Sequence, residues 1–494
     1  MDVLKWDKDR LYQQVRERLG DYLFLVVSNR EPYVHSLVDN KVVCQRPVSG
    51  LTEALDPVMR ASGGVWVAQG SGDADKQVVD AADHVSVPPG KPEYTLRRVW
   101  MTEKEVAGFY YGFANEGLWP LCHVTFTRPA FRETDWQTYQ KVNRLFADAI
   151  LQEIGQRRAV VMVQDYHFAL LPRYLKEKNP ELTVGQFWHI PWPPYDVFRT
   201  CPWHTEILEG MLGNDLLGFH VPSFCHNFLE AAERGLESRR DPERSVAIYR
   251  GKATIVEPFP ISIDFDSLDE LAASPETKKE MDRLRREFHL EDRYVGLGMD
   301  RIDYTKGIPE RLQALERFLT DHPEYRGKVV FIQAGMPSRT KIETYQDIGQ
   351  QIEDLMQSIN QKFGTDAWQP VIPLTRQLSP TELAALRRLA DFSIVSSLQD
   401  GMNLVAKEYV AGRPDEDGVL ILSELTGAAV EMPEALLVNP FDTGAIARRI
   451  KEALEMPEAE RRRRMQRLRA TVSGNNIYRW GGTLTARLIE VAGL

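Results

Sequence analysis

Short runs rich in Val, Ile, Leu and Phe recur along the chain, each followed by turn residues and then by a stretch with apolar positions at helical spacing. A continuous apolar run suits a strand covered on both faces, and an amphipathic helix suits the cover, so the alternation predicts βαβ units and parallel sheets. In the first half, strands are predicted at YLFLVV (22–27), AVVMVQ (159–164), VGQFWHI (184–190) and DLLGFHV (215–221). In the second half they are predicted at YVGLGM (294–299), KVVFIQA (328–334), DFSIVSS (391–397) and VLILS (419–423), separated by helices such as PERLQALERFLTDH. The expected fold class is α/β, with two doubly wound parallel sheets. Between the two series ATIVEPFPISIDFDSL (253–268) carries two prolines and is the expected hinge.

Composition narrows the partners. With 494 residues, 43% of them hydrophobic, the chain can fill two globular domains. The balance of 61 basic against 71 acidic residues, net −10, argues against nucleic acid or an anionic membrane as the main partner. The N-terminal stretch MDVLKWDKDRLYQQVRERL is charged throughout and reads as a short amphipathic helix, so neither a signal peptide nor a membrane span is expected there. Its apolar positions Leu4, Trp6, Leu11 and Val15 would pack on their own domain or on a second subunit, which leaves a homo-oligomer open. A cytoplasmic enzyme is the expectation. Cys44, Cys122, Cys201 and Cys225 lack C-x-x-C spacing and clustered His partners, so four buried thiols are expected rather than zinc or disulfides. The basic run ERRRRMQRLR (460–469) reads as a solvated helix face.

In open α/β sheets ligands collect beyond the carboxyl ends of the strands. The polar residues that stand out all fall at such ends. Ser28-Asn29-Arg30 follows the first strand, Asp165-Tyr166-His167 the second, and His189 with Pro191-Trp192-Pro193 the third. Arg301 and Lys306 follow YVGLGM, Arg339 follows KVVFIQAGMPS, and Asp400-Gly401-Met402-Asn403 follows FSIVSSLQ. Cations grouped in this way point to a polyphosphate or phosphosugar, gripped by an Arg fork and a Lys point charge. Gly401, Met402 and Asn403 are expected to open a helix with their amides turned toward a ligand. Asp400 and Glu408 would stand about 12 Å apart by helical rise, too far for a carboxyl pair that flanks one bond at about 5 Å. They are expected to accept hydroxyls, one for each sugar of a sugar nucleotide. Asp264-Phe265-Asp266-Ser267 imitates a metal-binding D-x-D but follows the prolines of the hinge, and GMLGNDLLG does not fit a dinucleotide fingerprint.

Taken in order, SNR, YYGFANEGLWP (110–120), DYH, HIPWP, MDRIDYTKGIPER and DGMNLVAKEYVA resemble the trehalose-6-phosphate synthases. The resemblance runs from about Tyr22 to the last helix. It implies two Rossmann-like domains facing a cleft, the B-type glycosyltransferase fold, and transfer of glucose with retention from a nucleotide-glucose to glucose 6-phosphate. The implied domains are 1–258 for the acceptor and 259–475 for the donor, with 476–494 a helix crossing back onto the first. By the same resemblance Arg301 and Lys306 hold the donor diphosphate, Asp400 with Gly401, Met402, Asn403 and Leu404 holds the donor glucose, and Glu408 holds the ribose. His189 stands near the donor sugar and Asp165 on the acceptor side. Arg30, Gly50, Tyr110, Trp119 and Arg339 recognise the acceptor. Neither a metal nor another cofactor is implied.

The departures from the family pattern gather on the acceptor side. Its glycine-rich GGL is here Ser49-Gly50-Leu51, reached through the longer EPYVHSLVDNKVVCQRP; its His before DYH is Gln164, and its Arg before DGMN is Gln399. GSGDAD (70–75) replaces a loop that often carries a second Trp, and Arg30-Glu31-Pro32-Tyr33 resembles the related glucosylglycerol-phosphate synthases, whose acceptor is glycerol 3-phosphate. That activity, and a catalytically weak sugar-phosphate sensor, are the alternatives.

Overall fold

The computed structural model describes residues 6–47, 50–241 and 243–494, the side chains at 51, 53 and 54 apart. Its strands form where the apolar runs are longest: Ala159–Gln164 and Val419–Ser423 are buried at every position. The chain divides into two compact units, one comprising residues up to Ile261 together with Ile477–Leu494, the other Ser262–Asn476.

Among the described residues, the sheet of the first unit has ten strands. From edge to edge they are Arg239–Asp241, Val246–Tyr249, Lys252–Pro258, Leu216–Phe219, Thr183–Phe187, Ala159–Gln164, Leu23–Ser28, Val65–Gln69, Tyr94–Val99 and His84–Val87. The seven from Lys252–Pro258 to Tyr94–Val99 pair in parallel, and antiparallel strands close both edges. From the central strand Leu23–Ser28 the chain winds outward one way, then returns to Ala159–Gln164 and winds outward the other. The order reverses between these two strands, where a doubly wound sheet opens a ligand crevice. The helix Ile477–Val491 completes this unit: a Cβ at Gly185 would meet Leu488 at 2.7 Å, and one at Gly482 would meet the Trp6 ring at 2.2 Å. The N-terminal helix, Lys8–Leu19, buries Leu11, Val15 and Leu19 in the same unit, so it packs on its own domain; Leu4 lies outside the described residues.

The second unit repeats the plan in six parallel strands, in the order Val371–Leu374, Val329–Met336, Tyr294–Arg301, Phe392–Val395, Val419–Ser423 and Leu436–Val438. Its order reverses between Tyr294–Arg301 and Phe392–Val395.

Four features differ from the sequence reading. The first half of the expected hinge is the strand Lys252–Pro258, paired with Leu216–Phe219, and the division between units falls after Ile261. Residues 34–45 form a hairpin whose turn residues Asp39 and Asn40 both have positive φ, 50° and 57°. Asn and Asp tolerate that conformation, which suits a two-residue hairpin turn. Ala107–Leu118 is a π-helix, and within it Asn115 Nδ2 donates to Tyr110 O at 2.7 Å. Of the cysteines, Cys122, Cys201 and Cys225 are buried but Cys44 is only half-buried, because it lies on the exposed hairpin.

Candidate active site

Two loops meet at the reversal point of the second sheet. After Tyr294–Arg301 the chain turns through Tyr304–Lys306 to Gly307, whose φ is 60°. A Cβ on Gly307 would lie 2.0 Å from the Ser396 carbonyl oxygen, so conformation and close approach both require glycine. Ser396 Oγ donates to the carbonyl oxygens of Lys306 and Gly307 at 3.1 and 2.7 Å, and Leu398 N donates to Thr305 O at 2.8 Å. The two strand ends are thereby pinned together.

This pinning sets Lys306 opposite Asp400. Lys306 Nζ donates to Asp400 Oδ2 at 2.6 Å, and Asn403 Nδ2 donates to the same oxygen at 3.1 Å. The helix begins at Leu404 rather than at Gly401. Asn403, with φ of 94°, is its cap and accepts from Ala406 N at 3.0 Å, so Gly401 and Met402 belong to the loop. Arg301 is exposed and has no ion-pair partner among the described residues. Asp303, fully buried, accepts from Thr305 N and Oγ1 at 3.0 and 2.9 Å and from Arg339 Nη1 at 3.2 Å. Burial pushes the Asp303 carboxyl upward, but Arg339, Lys306 and Arg301 outweigh it and hold it below the usual range. Arg339 also bonds Tyr345, so the structure ties this predicted acceptor residue into the second unit beside the Lys306 loop. Glu408 pairs with Arg387 of a neighbouring helix. Its sequence neighbour Lys407, 1% exposed, pairs instead with Glu431 at 2.6 Å.

At the reversal point of the first sheet, Arg30 follows one central strand and Asp165 the other. Arg30 is exposed, and its Nη2 donates to Tyr110 OH at 3.5 Å. The Tyr110 ring stacks on His167 at 5.7 Å and 7°. Arg30 and Tyr110 line a cavity of about 350 Å³ with Asn29, Glu31, Ser71 and Thr52. Thr52 belongs to the helix Gly50–Ser62; Ser49 lies outside the described residues. Trp119 does not line the cavity. It is 6% exposed and packs against His123 and Tyr166, at 4.1 and 5.8 Å between ring centroids.

Glu31, which the sequence shows only as part of the REPY stretch, is a buried carboxylate in the cavity lining. Its Oε1 accepts from Ser71 N and Oγ at 2.8 and 2.9 Å, and its Oε2 from Arg98 Nε at 2.8 Å. Arg98 also reaches Asp75 at 2.7 Å, and none of the three side chains is exposed beyond 2%. Burial, with the Asp75 carboxyl alongside, raises the Glu31 pKa to about 7 against the pull of Arg98 and the Ser71 amide.

Asp165, at φ 73°, turns its Oδ1 to accept from Tyr166 N at 2.9 Å and His189 N at 3.2 Å. The His189 ring meets Gln164 Oε1 at 2.8 Å. Burial, then His220 and His167, push its pKa well below the usual histidine range. Among the described residues no cluster of three His, Cys, Asp or Glu side chains is placed to hold a metal, and no helix is long and apolar enough to cross a membrane. Asp264 caps the helix Phe265–Ala273, accepting from Ser267 N and Oγ at 3.2 and 2.8 Å. The basic run is ion-paired along its helix, Arg461 with Asp417 and Arg467 with Glu434.

The family model described as glycosyltransferase family 20 matches residues 23–490. The chain belongs to that family. It is 39% identical over 482 residues to a trehalose-6-phosphate synthase of Mycobacterium marinum, a match covering 96% of this chain and 95% of the relative. A solved structure from E. coli, described as trehalose-6-phosphate bound with UDP-2-fluoro glucose, superposes with a TM-score of 0.85 at 31% identity, covering 94% of this chain and 99% of that one. An α,α-trehalose-phosphate synthase (UDP-forming) from Burkholderia xenovorans, in complex with glucose-6-phosphate, gives 0.83 at 30%, with the same coverage. The family fold is the B-type glycosyltransferase fold, and two doubly wound sheets are what this member displays.

Proposed function

We propose that this protein is a retaining glucosyltransferase that moves glucose from UDP-glucose to glucose 6-phosphate, giving trehalose 6-phosphate and UDP. The contact between Lys306 and Asp400 carries the reading. It sets a cation for phosphate and a carboxylate for sugar hydroxyls side by side at one strand-end crevice. The named relatives, with a UDP-sugar analogue in one and glucose-6-phosphate in another, support the same donor and acceptor. They give no support to the glycerol 3-phosphate alternative.

In this reading Arg301 and Lys306 meet the diphosphate, where charge builds as the bond from sugar C1 to phosphate oxygen breaks; stabilising such charge is usually the largest catalytic contribution. Asp400, with the amides from Gly401 to Leu404, orients the glucose, and Glu408 the ribose. Arg30 and Tyr110 receive the acceptor in the cavity of the first unit, and Asp165 and His189 border the reacting sugars. The acceptor oxygen bonds to C1 on the face the diphosphate leaves, and its proton passes to the departing phosphate oxygen. No protein nucleophile is required, and the positive charge at the leaving group comes from side chains.

Mass spectrometry of products from UDP-glucose and ADP-glucose, each offered with glucose 6-phosphate and with glycerol 3-phosphate, tests the proposal. A phosphorylated disaccharide from UDP-glucose and glucose 6-phosphate is expected. Transfer to glycerol 3-phosphate alone would overturn the acceptor assignment.

A further inference from the structure

Gln164 ends the strand Ala159–Gln164 with no solvent exposure, and its carboxamide reaches the ring that follows the next strand. His189 Nε2 stands 2.8 Å from Gln164 Oε1. With the amide oxygen turned to the ring, the contact requires the ring proton on Nε2 and leaves a lone pair on Nδ1. The Gln164 Nε2 atom is buried with no partner among the described residues, so the bond to His189 is the one that orients the side chain.

The surroundings of the ring act in the same direction. His220 Nε2 contacts His189 O at 3.0 Å, and His220 and His167 both oppose a further positive charge. Phe187 lies against the ring at 4.6 Å and Trp480 at 6.2 Å between centroids. The nearby carboxylate, Asp165, accepts from the His189 backbone N–H.

We propose that Gln164 is a positioning residue that fixes His189 as the neutral imidazole protonated on Nε2, with Nδ1 offered as an acceptor to a hydroxyl of the transferred sugar. The inference rests on the reading above in which His189 faces that sugar. Breaking the bond at C1 develops positive charge on the sugar ring. An imidazolium beside it would oppose that charge, whereas a neutral acceptor holds a hydroxyl through the whole step. A carboxylate in place of Gln164 would favour the imidazolium. The His that the resembling family carries at this position is, like the amide, a partner that can remain neutral.

Nitrogen-15 spectra of histidine-labelled resting protein read the tautomer without turnover, with the His189 signals assigned by their loss in His189→Gln. Protonated Nε2, bare Nδ1 and no titration between about pH 5 and 8 are expected. Gln164→Glu should give kcat a new limb on which activity falls as pH drops. Gln164→Leu should lower kcat about tenfold, the scale of one lost hydrogen bond, and Gln164→His should recover most of it. A wild-type ring protonated on Nδ1, or a Gln164→Glu profile superimposable on the wild type's, would overturn the proposal. Should the expected tautomer accompany a protein that transfers nothing, the proposed function fails while the ring assignment stands.

Discussion

Lys306 and Asp400, 94 residues apart in sequence, meet at 2.6 Å with side chains only 11% and 15% exposed. The cation proposed for the diphosphate is therefore held by the carboxylate proposed for the sugar hydroxyls. Lys306→Ala is expected to reduce kcat by about two to three orders of magnitude, as loss of a leaving-group donor does. It also takes the counter-charge from a largely buried carboxylate, which keeps Asn403 and Ser397 as donors, so the melting temperature should fall as well. Pairing it with Asp400→Asn should restore much of the melting temperature and none of the activity. Restored turnover in the double variant would disprove the leaving-group role.

Gly307 lets the two loops that carry this contact approach each other. Gly307→Ala places a Cβ 2.0 Å from Ser396 O at a φ of 60°, so the two strand-end loops must separate. Both the melting temperature and UDP affinity by calorimetry should fall. Asn tolerates the left-handed conformation, so Gly307→Asn separates strain from overlap: Asn no better than Ala assigns the cost to overlap, and a near-normal Asn variant would refute close approach.

Tyr110 projects from the π-helix with its ring on His167 and its hydroxyl toward Arg30. Tyr110→Phe keeps the stacking and removes the hydroxyl. A rise of about fivefold in the acceptor KM with an unchanged donor KM is expected, on the scale of one net hydrogen bond. A change in the donor KM alone would move Tyr110 to the other substrate.

Glu31 gives the protein a stability that depends on pH. Its folded pKa, about 7, lies above its ordinary value of 4.5, so the folded chain keeps a proton that the unfolded chain has already released. The contribution is complete below about pH 4.5 and is lost as pH rises through about 7. Melting curves should decline across that window more steeply for the wild type than for Glu31→Gln, which stays neutral. Parallel declines would show that Glu31 titrates normally.

The apolar runs of the central strands were legible because those strands are buried on both faces and leave little room for polar residues. The strand ends were legible for the same reason: Arg301 and Asp165 interrupt such runs abruptly. The hairpin Val34–Val38 and Lys41–Gln45 was missed because it is largely exposed and lacks that signature, although Asp39-Asn40 marks its turn. Two prolines made 253–268 look like a hinge, but Pro258 ends the strand, where the next ladder bond is donated by Phe259 to Phe219 O. The partners Arg387 of Glu408, Tyr345 of Asp303 and Arg98 of Glu31 were not legible, since each reaches its carboxylate across a distance in sequence that no local pattern records. Lys407, next to Glu408 in sequence, pairs with Glu431 instead, because adjacent residues on a helix point in different directions.

A π-helical turn closes on the fifth residue rather than the fourth, and the Asn115 side chain adds a bond from its Nδ2 to the carbonyl of Tyr110, also five positions away. The segment Ala107–Leu118 thus keeps a count as well as a composition. Removing one residue would rotate Tyr110 around the helix axis and carry it off the cavity it lines with Arg30. Substitutions along this stretch can be tried singly by evolution, whereas changes of length must be compensated at once, so variation around the cavity should accumulate here by exchange of side chains rather than by insertion or deletion.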